Sequence, residues 1–313
     1  MEEKKIVVVM GGPSSEAAIS RQPGTAVVKA LKSKGYAVMG LEFDPRGFAR
    51  EMEAMRPAMV FNAMHGAFGE DGRLAAVLEL LGIPYTGSGV LAGALTLNKA
   101  ANKRVLLGAG IPTPSARMYR SYERARDLAG EIAEGFSLPV VVKAAAQGSS
   151  LGVVIAAQEE DLPGALEEAF RYDDEVVVEA FIDGVEITVA VMGDGVKNEV
   201  FPIIEITTVS GRYDYESKYT VGASRHIIPA RLAPKTAEKA REIALSTFAV
   251  CGCRGIARVD MMIAADGQPY VIDINTVPGM TATSLVPDAA LAMGVDFPTL
   301  CERLLELAGF SLD

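Results

Sequence analysis

Apolar residues follow two rhythms through the first hundred positions. Ile6 to Met10 is an unbroken apolar run of strand length, the pattern of a strand covered on both faces. Glu16 to Lys34 then shows helical apolar spacing and stops at Gly35. Tyr36 to Phe43 and Met59 to Met64 repeat the strand rhythm. A helix is predicted from Gly72 to Leu81, ahead of the turn Gly82-Ile83-Pro84-Tyr85. Strand–helix–strand alternation implies a parallel α/β sheet, and ligands collect at the carboxyl ends of such strands.

The rhythm changes after a helix over Thr96 to Leu107. Gly108 and Gly110 close it, and the extended segment Ile111-Pro112-Thr113-Pro114 cannot continue it. A smaller α+β unit follows: strand Val140–Lys143, loop Gln147–Gly152, strand Val153–Ala156, helix Leu162–Phe170 and strand Glu175–Phe181. Beyond it come strands around Glu186–Met192 and Val200–Ile206, then a long polar loop from Thr207 to Ala223. Helix Lys235–Cys251, a hairpin over Val259–Ile274 and a helical end from Pro287 complete the chain. No repeat or low-complexity linker interrupts this order. The expected class is α/β and α+β in three packed domains, 1–96, 97–182 and 183–313.

Composition narrows the possible roles. Forty acidic residues against thirty basic give a formal charge of −10, which argues against a general nucleic-acid binder. Half the residues are hydrophobic and 22% are charged, which excludes a mainly disordered chain. The three cysteines include one close pair, Cys251-x-Cys253, which supports neither a disulfide framework nor a structural zinc site and fits a reducing cytoplasm. After Met1-Glu2-Glu3-Lys4-Lys5 the apolar run to Met10 is too short for a signal-peptide core. The uncharged stretch Leu80 to Asn98 carries Pro84 and four glycines, and so reads as turn plus short elements, not as a membrane span.

The hairpin carries the sharpest chemistry. Asp266-Gly267 is a two-residue turn signature. Pairing outward from it sets Asp260 opposite Asp273 and Arg258 opposite Asn275. The other face is apolar: Val259 meets Ile274, Met261 meets Ile272, and Ile263 meets Tyr270. Two ionised carboxylates about 5 Å apart repel by roughly 3 kcal/mol at an effective dielectric near 20. A hard divalent cation offsets that cost. So does Arg258 on a solvated polar face, and the hairpin alone does not separate the two.

Other segments carry weaker signals. Lys143 ends a strand before the loop Gln147-Gly148-Ser149-Ser150-Leu151-Gly152, where an ammonium and backbone N–H groups can meet phosphates; an ordinary hairpin connection has the same appearance. Lys99 at a helix start carries a similar ambiguity. His65 stands where a buried strand gives way to a glycine loop. Glu16 lies near a helix N-terminus, where the dipole already favours a carboxylate. The loop Tyr213-Asp214-Tyr215-Glu216-Ser217-Lys218-Tyr219 is polar and aromatic enough for a lid.

Together these segments resemble the D-alanine–D-alanine ligases of the ATP-grasp superfamily. The resemblance runs nearly end to end through MGGPSSE (10–16), MHGAFGEDG (64–72), GIPYTGSG (82–89), VVKAAAQGSS (141–150), YDYESKY (213–219), RVDMMI (258–263) and DINTVPGMTATSLVP (273–287). It implies a three-domain ATP-grasp architecture, an N-terminal parallel-sheet domain and two domains clasping ATP. Lys99 and Lys143 would hold the phosphates, and Glu179, Phe181, Ile182 and Glu186 the adenine and ribose. Asp260, Asp273 and Asn275 would hold Mg²⁺, usually two ions, with Mn²⁺ as an alternative.

The same resemblance implies that one D-alanine carboxylate attacks the γ-phosphoryl group and that the amine of a second D-alanine attacks the acyl phosphate. Arg258 and the Gly279 backbone would form the oxyanion site. Glu16 would hold the first substrate's ammonium with His65 near its carboxylate, and Ser284 and Leu285 would anchor the second substrate. Lys218 and Tyr219 would sit on the lid, Tyr219 linking through Ser149 to Glu16. A homodimer is the family's habit. The chain departs from the family pattern at Ala144 (usually proline), across the uncharged run Ala144 to Gln147, at Asp273 (usually glutamate), at Ala18 (often acidic) and at Pro23 (commonly serine). Other amino-acid substrates, or a nucleotide-binding relative without turnover, are the competing expectations. Tyr219 disfavours D-lactate as the second substrate.

Overall fold

A computed structural model describes residues 5–14, 16–208, 224–281 and 284–309. Its first sheet is parallel, in the order β2-β1-β3, from β1 (Ile6–Met10), β2 (Val38–Glu42) and β3 (Met59–Asn62). Val7, Val8 and Val9 on β1 are fully buried, which is why that run is apolar throughout instead of alternating. α1 (Ala17–Ser33), α2 (Phe48–Met55), α3 (Arg73–Leu80) and α4 (Val90–Leu97) surround it.

Two of these helices escape the hydrophobic pattern. α2 buries only Phe48 and Met52, a stripe too short to establish a period. α4 lies in the uncharged stretch, where nearly every position is apolar and no polar face marks the helix. The helix expected from Thr96 begins instead as α5 (Lys99–Gly108): Asn98 is extended and its Oδ1 accepts from the Ala101 N–H at 2.8 Å, an N-cap that separates α5 from α4.

The second sheet is antiparallel, β4-β7-β5-β6, from β4 (Ala116–Arg120), β5 (Val140–Ala144), β6 (Val153–Ala156) and β7 (Glu175–Ala180). α6 (Leu128–Gly135) and α7 (Leu162–Phe170) cover it, with Ile132, Val140, Val142, Leu162 and Val178 in the shared core. β4 was not expected, because within it only Tyr119 is buried.

The third sheet has the order β11-β10-β8-β12-β13, with β9 on β8. Its members are β8 (Gly184–Gly193), β9 (Asn198–Val200), β10 (Ile204–Thr208), β11 (Ser224–Ile227), β12 (Gly255–Ala264) and β13 (Pro269–Asn275). The strand expected across Val200–Ile206 is two strands, broken around Pro202, which has no N–H for the ladder. α8 (Pro234–Val250) covers one face, where Phe248 shares a buried core with Val189, Val191 and Val259. The opposite face, with Ala190, Met192 and Ile204, meets α9 (Leu285–Ala292) and α10 (Phe297–Glu306). That same core contains Ile6, Val8, Val27 and Leu31, so the first and last parts of the chain bury one continuous surface. Among the described residues no helix is long and apolar enough to cross a membrane.

Phe248 is fully buried between α8 and the central strands. Phe248→Ala is expected to cost about 3–5 kcal/mol of stability, read as a lower urea midpoint at unchanged slope.

Candidate active site

The paired acids sit on β12 and β13, the last two strands in the order of the third sheet. Asp260 lies opposite Asp273, and Arg258 opposite Asn275, as the hairpin reading expects. The pairing nearer the turn differs from that reading. Gly267 N donates to Ala264 O at 2.8 Å and Ala264 N to Gln268 O at 3.0 Å, so the loop is Ala265-Asp266-Gly267 with Gly267 at a φ of +81°. Met261 therefore pairs with Val271, and Ile263 with Pro269, until the register shifts between Asp260 and Met261. Ile272 is the extra residue of a bulge. An unbroken ladder from this turn would set Asp273 opposite Val259 on the core side. The bulge returns it to the face of Asp260.

Cations compensate both acids. Arg258 grips Asp260 with Nε on Oδ1 and Nη2 on Oδ2, each at 2.8 Å, and Thr188 Oγ1 on β8 donates to Asp260 Oδ1 at 2.6 Å. Lys99 Nζ lies 3.8 Å from Asp273 Oδ1 and donates to Gln147 O at 2.6 Å. Asn275 Oδ1 accepts from the Val277 N–H at 3.0 Å.

The second sheet faces this arrangement with a buried charge cluster. Lys143 Nζ is 2.8 Å from Glu179 Oε2, and Lys103 Nζ is 3.2 Å from Glu179 Oε1. Burial alone would raise the Glu179 pKa, but the two ammonium groups outweigh it and hold the carboxyl below its ordinary value. Burial pulls Lys103 below the usual lysine value, and Lys143 adds to the effect against the opposing pull of Glu179. Lys143 also points at Ile272 O, 3.4 Å away at the bulge.

The loop after β5 reaches the first sheet. Ser149 and Ser150 lie in the left-handed region, at φ 49° and 59°, and Ser149 Oγ donates to Glu16 Oε1. A Cβ on Gly148 would fall 2.5 Å from Glu16 Oε2, so glycine is what allows the close approach. His65 is buried nearby; burial first, then the Arg258 charge, lowers its pKa to about 4 against a hydrogen bond to the Val277 backbone. Its imidazole is therefore neutral at pH 7. Glu70 accepts from the Gly66 N–H at 2.5 Å, and burial next to Glu16 raises its carboxyl pKa well above the ordinary value.

The family profile described as D-ala D-ala ligase C-terminus matches residues 105–306, and that described as D-ala D-ala ligase N-terminus matches 44–88. A D-alanine–D-alanine ligase from Moorella thermoacetica is 48% identical over 97% of this chain and 99% of its own. This chain belongs to the D-alanine–D-alanine ligase family. The crystal structure of the Bacillus anthracis ligase, at 33% identity, superposes with a TM-score of 0.85 over 97% of this chain and 96% of that one. Its complex with ATP, at 32% identity, does so with a TM-score of 0.83 over 97% of each. The mixed α/β, ATP-grasp class expected from sequence holds.

Within this ligase fold, Glu16, Ser149, His65, Arg258, Asp260, Asp273, Asn275, Lys99 and Lys143 occupy the connected arrangement described above. Phe181 and Ile182 are half-buried just beyond β7, and Phe181 N donates to Pro139 O at 3.3 Å. Glu186 is half-buried on β8 opposite Met262. Ser284 precedes α9, its Oγ accepting from the Thr281 N–H at 3.1 Å, and a Cβ on Gly279 would come within 2.9 Å of that oxygen. Leu285 buries its side chain in the shared core. Lys218 and Tyr219 lie outside the described residues.

Sequence reasoning missed Lys103, Thr188 and Glu70. Lys103 is one helical turn beyond Lys99, and Thr188 is two strand residues beyond Glu186. Those periods put each on the face of a residue already singled out. Glu70 lies inside a quoted motif but is an acid among apolar neighbours, with no polar pattern around it.

The depressed His65 pKa sets a pH dependence. Between the unfolded value of about 6.5 and the folded value of about 4 the unfolded chain binds more protons. The His65 contribution to stability should therefore be full above pH 6.5 and be lost as pH drops toward 4, by roughly 3 kcal/mol, while the raised Glu70 carboxyl acts in the opposite sense. His65→Gln should flatten that limb in urea titrations at stepped pH.

Proposed function

We propose that this chain joins two D-alanines into D-alanyl-D-alanine, with conversion of ATP to ADP and phosphate, for peptidoglycan precursor synthesis. The observation that carries the reading is Lys99, whose ammonium stands between the carbonyl of Gln147 in the β5–β6 loop and the Asp273 carboxylate. A cation suited to phosphate beside an acid suited to a metal supports the reading, because phosphoryl transfer requires both.

The donors fit a hard divalent cation. Asp260 and Asp273 face each other, Asn275 lies two residues along the same face, and each offers oxygen. Asp260, Asp273 and Asn275 would hold Mg²⁺, which neutralises phosphate charge when bound. Lys99 and Lys143 would draw in the phosphates, and Glu179, Phe181, Ile182 and Glu186 would line the nucleoside.

Glu16 would fix the ammonium of the first D-alanine, and neutral His65 would donate to its carboxylate. One oxygen of that carboxylate attacks the γ-phosphorus as the bond to ADP breaks, leaving an acyl phosphate. The second amine, having lost a proton, attacks the acyl carbon. Phosphate departs with the former carboxylate oxygen, and the nitrogen sheds its remaining extra proton. Arg258 and the Gly279 N–H would stabilise the oxygen charge that builds up in that attack, a contribution whose loss costs about 3–4 kcal/mol in comparable sites. Ser284 and Leu285 would anchor the second carboxylate. Lys218 and Tyr219 would close over the acyl phosphate and keep water out.

In the same reading the chain divides at 1–96, 97–182 and 183–313, works in the cytoplasm and pairs as a homodimer. Mass spectrometry after incubation with ATP, Mg²⁺ and D-alanine should find D-alanyl-D-alanine together with one phosphate per peptide bond. Absence of dipeptide above the ATP-free control refutes the reading, and a different product from a panel of D-amino and D-hydroxy acids redirects it to another ligation. Asp260→Asn should lower turnover by at least about a hundredfold, the scale of one lost charge-stabilising group, with an unchanged circular dichroism spectrum.

A further inference from the structure

Lys103 is the most completely satisfied buried cation near the nucleotide residues, and none of the roles above uses it. It is 3% exposed, on the α5 turn following Lys99. Its ammonium donates to Thr113 Oγ1 at 2.7 Å and Pro114 O at 2.9 Å, and lies 3.2 Å from Glu179 Oε1. Three donors meet three acceptors, which is all an ammonium can make. Thr113 Oγ1 passes the network on to Val271 O at 2.7 Å, two residues before Asp273. Lys103 therefore ties α5, the 112–114 segment and β7 to one nitrogen, and reaches β13 through the Thr113 hydroxyl.

Glu179 is 2% exposed and carries two ammonium partners, Lys103 and Lys143, one on each oxygen. The partners differ in their freedom. Lys103 is enclosed by fixed acceptors. Lys143 has its Glu179 contact and a long 3.4 Å approach to Ile272 O, so it is the one that can leave. A buried carboxylate stripped of every cation is strongly destabilised.

We infer that Lys103 is a positioning residue for nucleotide binding: by staying on Glu179 it allows Lys143 to move to the phosphates of ATP without stranding a buried carboxylate. This rests on the reading that Lys143 meets phosphate. Adenosine has no phosphate to recruit Lys143, so the effect of Lys103 is confined to phosphorylated nucleotides.

Calorimetry with ATP, ADP and adenosine on the full-length protein tests this. Lys103→Met should weaken ATP and ADP by at least about tenfold, since the Lys143 transfer then leaves Glu179 unpaired. Adenosine affinity should stay within about twofold of wild type, because Lys143 need not move. Adding Glu179→Gln removes the stranded charge, and the ratio of ATP to adenosine affinity should return toward that of Glu179→Gln alone. Equal weakening of all three ligands by Lys103→Met, or no weakening of ATP, would overturn the inference. Lys143→Met separates the two levels: if it leaves ATP affinity unchanged, the phosphate assignment of Lys143 has failed first. A crystal structure of the wild type with ADP reads the same point without a variant. Lys103 should still hold Glu179 while Lys143 has moved away, and Lys143 remaining on Glu179 would count against the idea.

Discussion

Charge compensation where water is scarce is the constraint on which this molecule depends. Four carboxylates, Asp260, Asp273, Glu179 and Glu16, converge on one region, and each is met by a cation or a hydroxyl: Arg258 and Thr188, Lys99, Lys143 with Lys103, and Ser149. Without those partners the carboxylates would repel one another or take up protons. The partners come from the second and third sheets, from α5 and from the β5–β6 loop, so the elements that line the cleft are also those that neutralise it. The fold is held at its centre by the groups that would handle ATP.

Such an arrangement is poised as well as stable. Arg258 turns Nε and Nη2 to Asp260, and Lys99 is shared between a carbonyl and an acid. On the proposed function, an incoming polyphosphate would compete for these same cations and an incoming Mg²⁺ for these same acids. Ligand pair and protein pair would then exchange partners with little change in total charge separation, and at a low reorganisation cost.

Much of this was legible in the sequence wherever one face of an element is buried and the other is not. Asp260 opposite Asp273 followed from strand alternation and a turn signature, and it held although the turn is one residue longer than expected. The Ile272 bulge absorbs the difference, and nothing in an alternating pattern announces a bulge. α4 was hidden by uniform apolarity, and β4 by having a single buried residue, Tyr119. Lys103 was hidden for another reason: a lysine on a helix reads as solvated unless the surface it will cover is already known. The carboxylate that makes its burial tolerable lies 76 residues further along the chain, at Glu179. Pairing of that kind is a property of the assembled fold.

The shared core of β1, α1 and the terminal helices has a consequence for how the chain comes into being. Lys34 and Tyr36 reach Glu302 on α10, and Leu300, Leu304 and Leu305 lie in one core with Val27 and Leu31 of α1. During synthesis α1 leaves the ribosome with part of its greasy flank bare, and the piece that covers it follows about 268 residues later. Until then that flank is open to stray association, so α10 acts as the keystone for a helix made long before it.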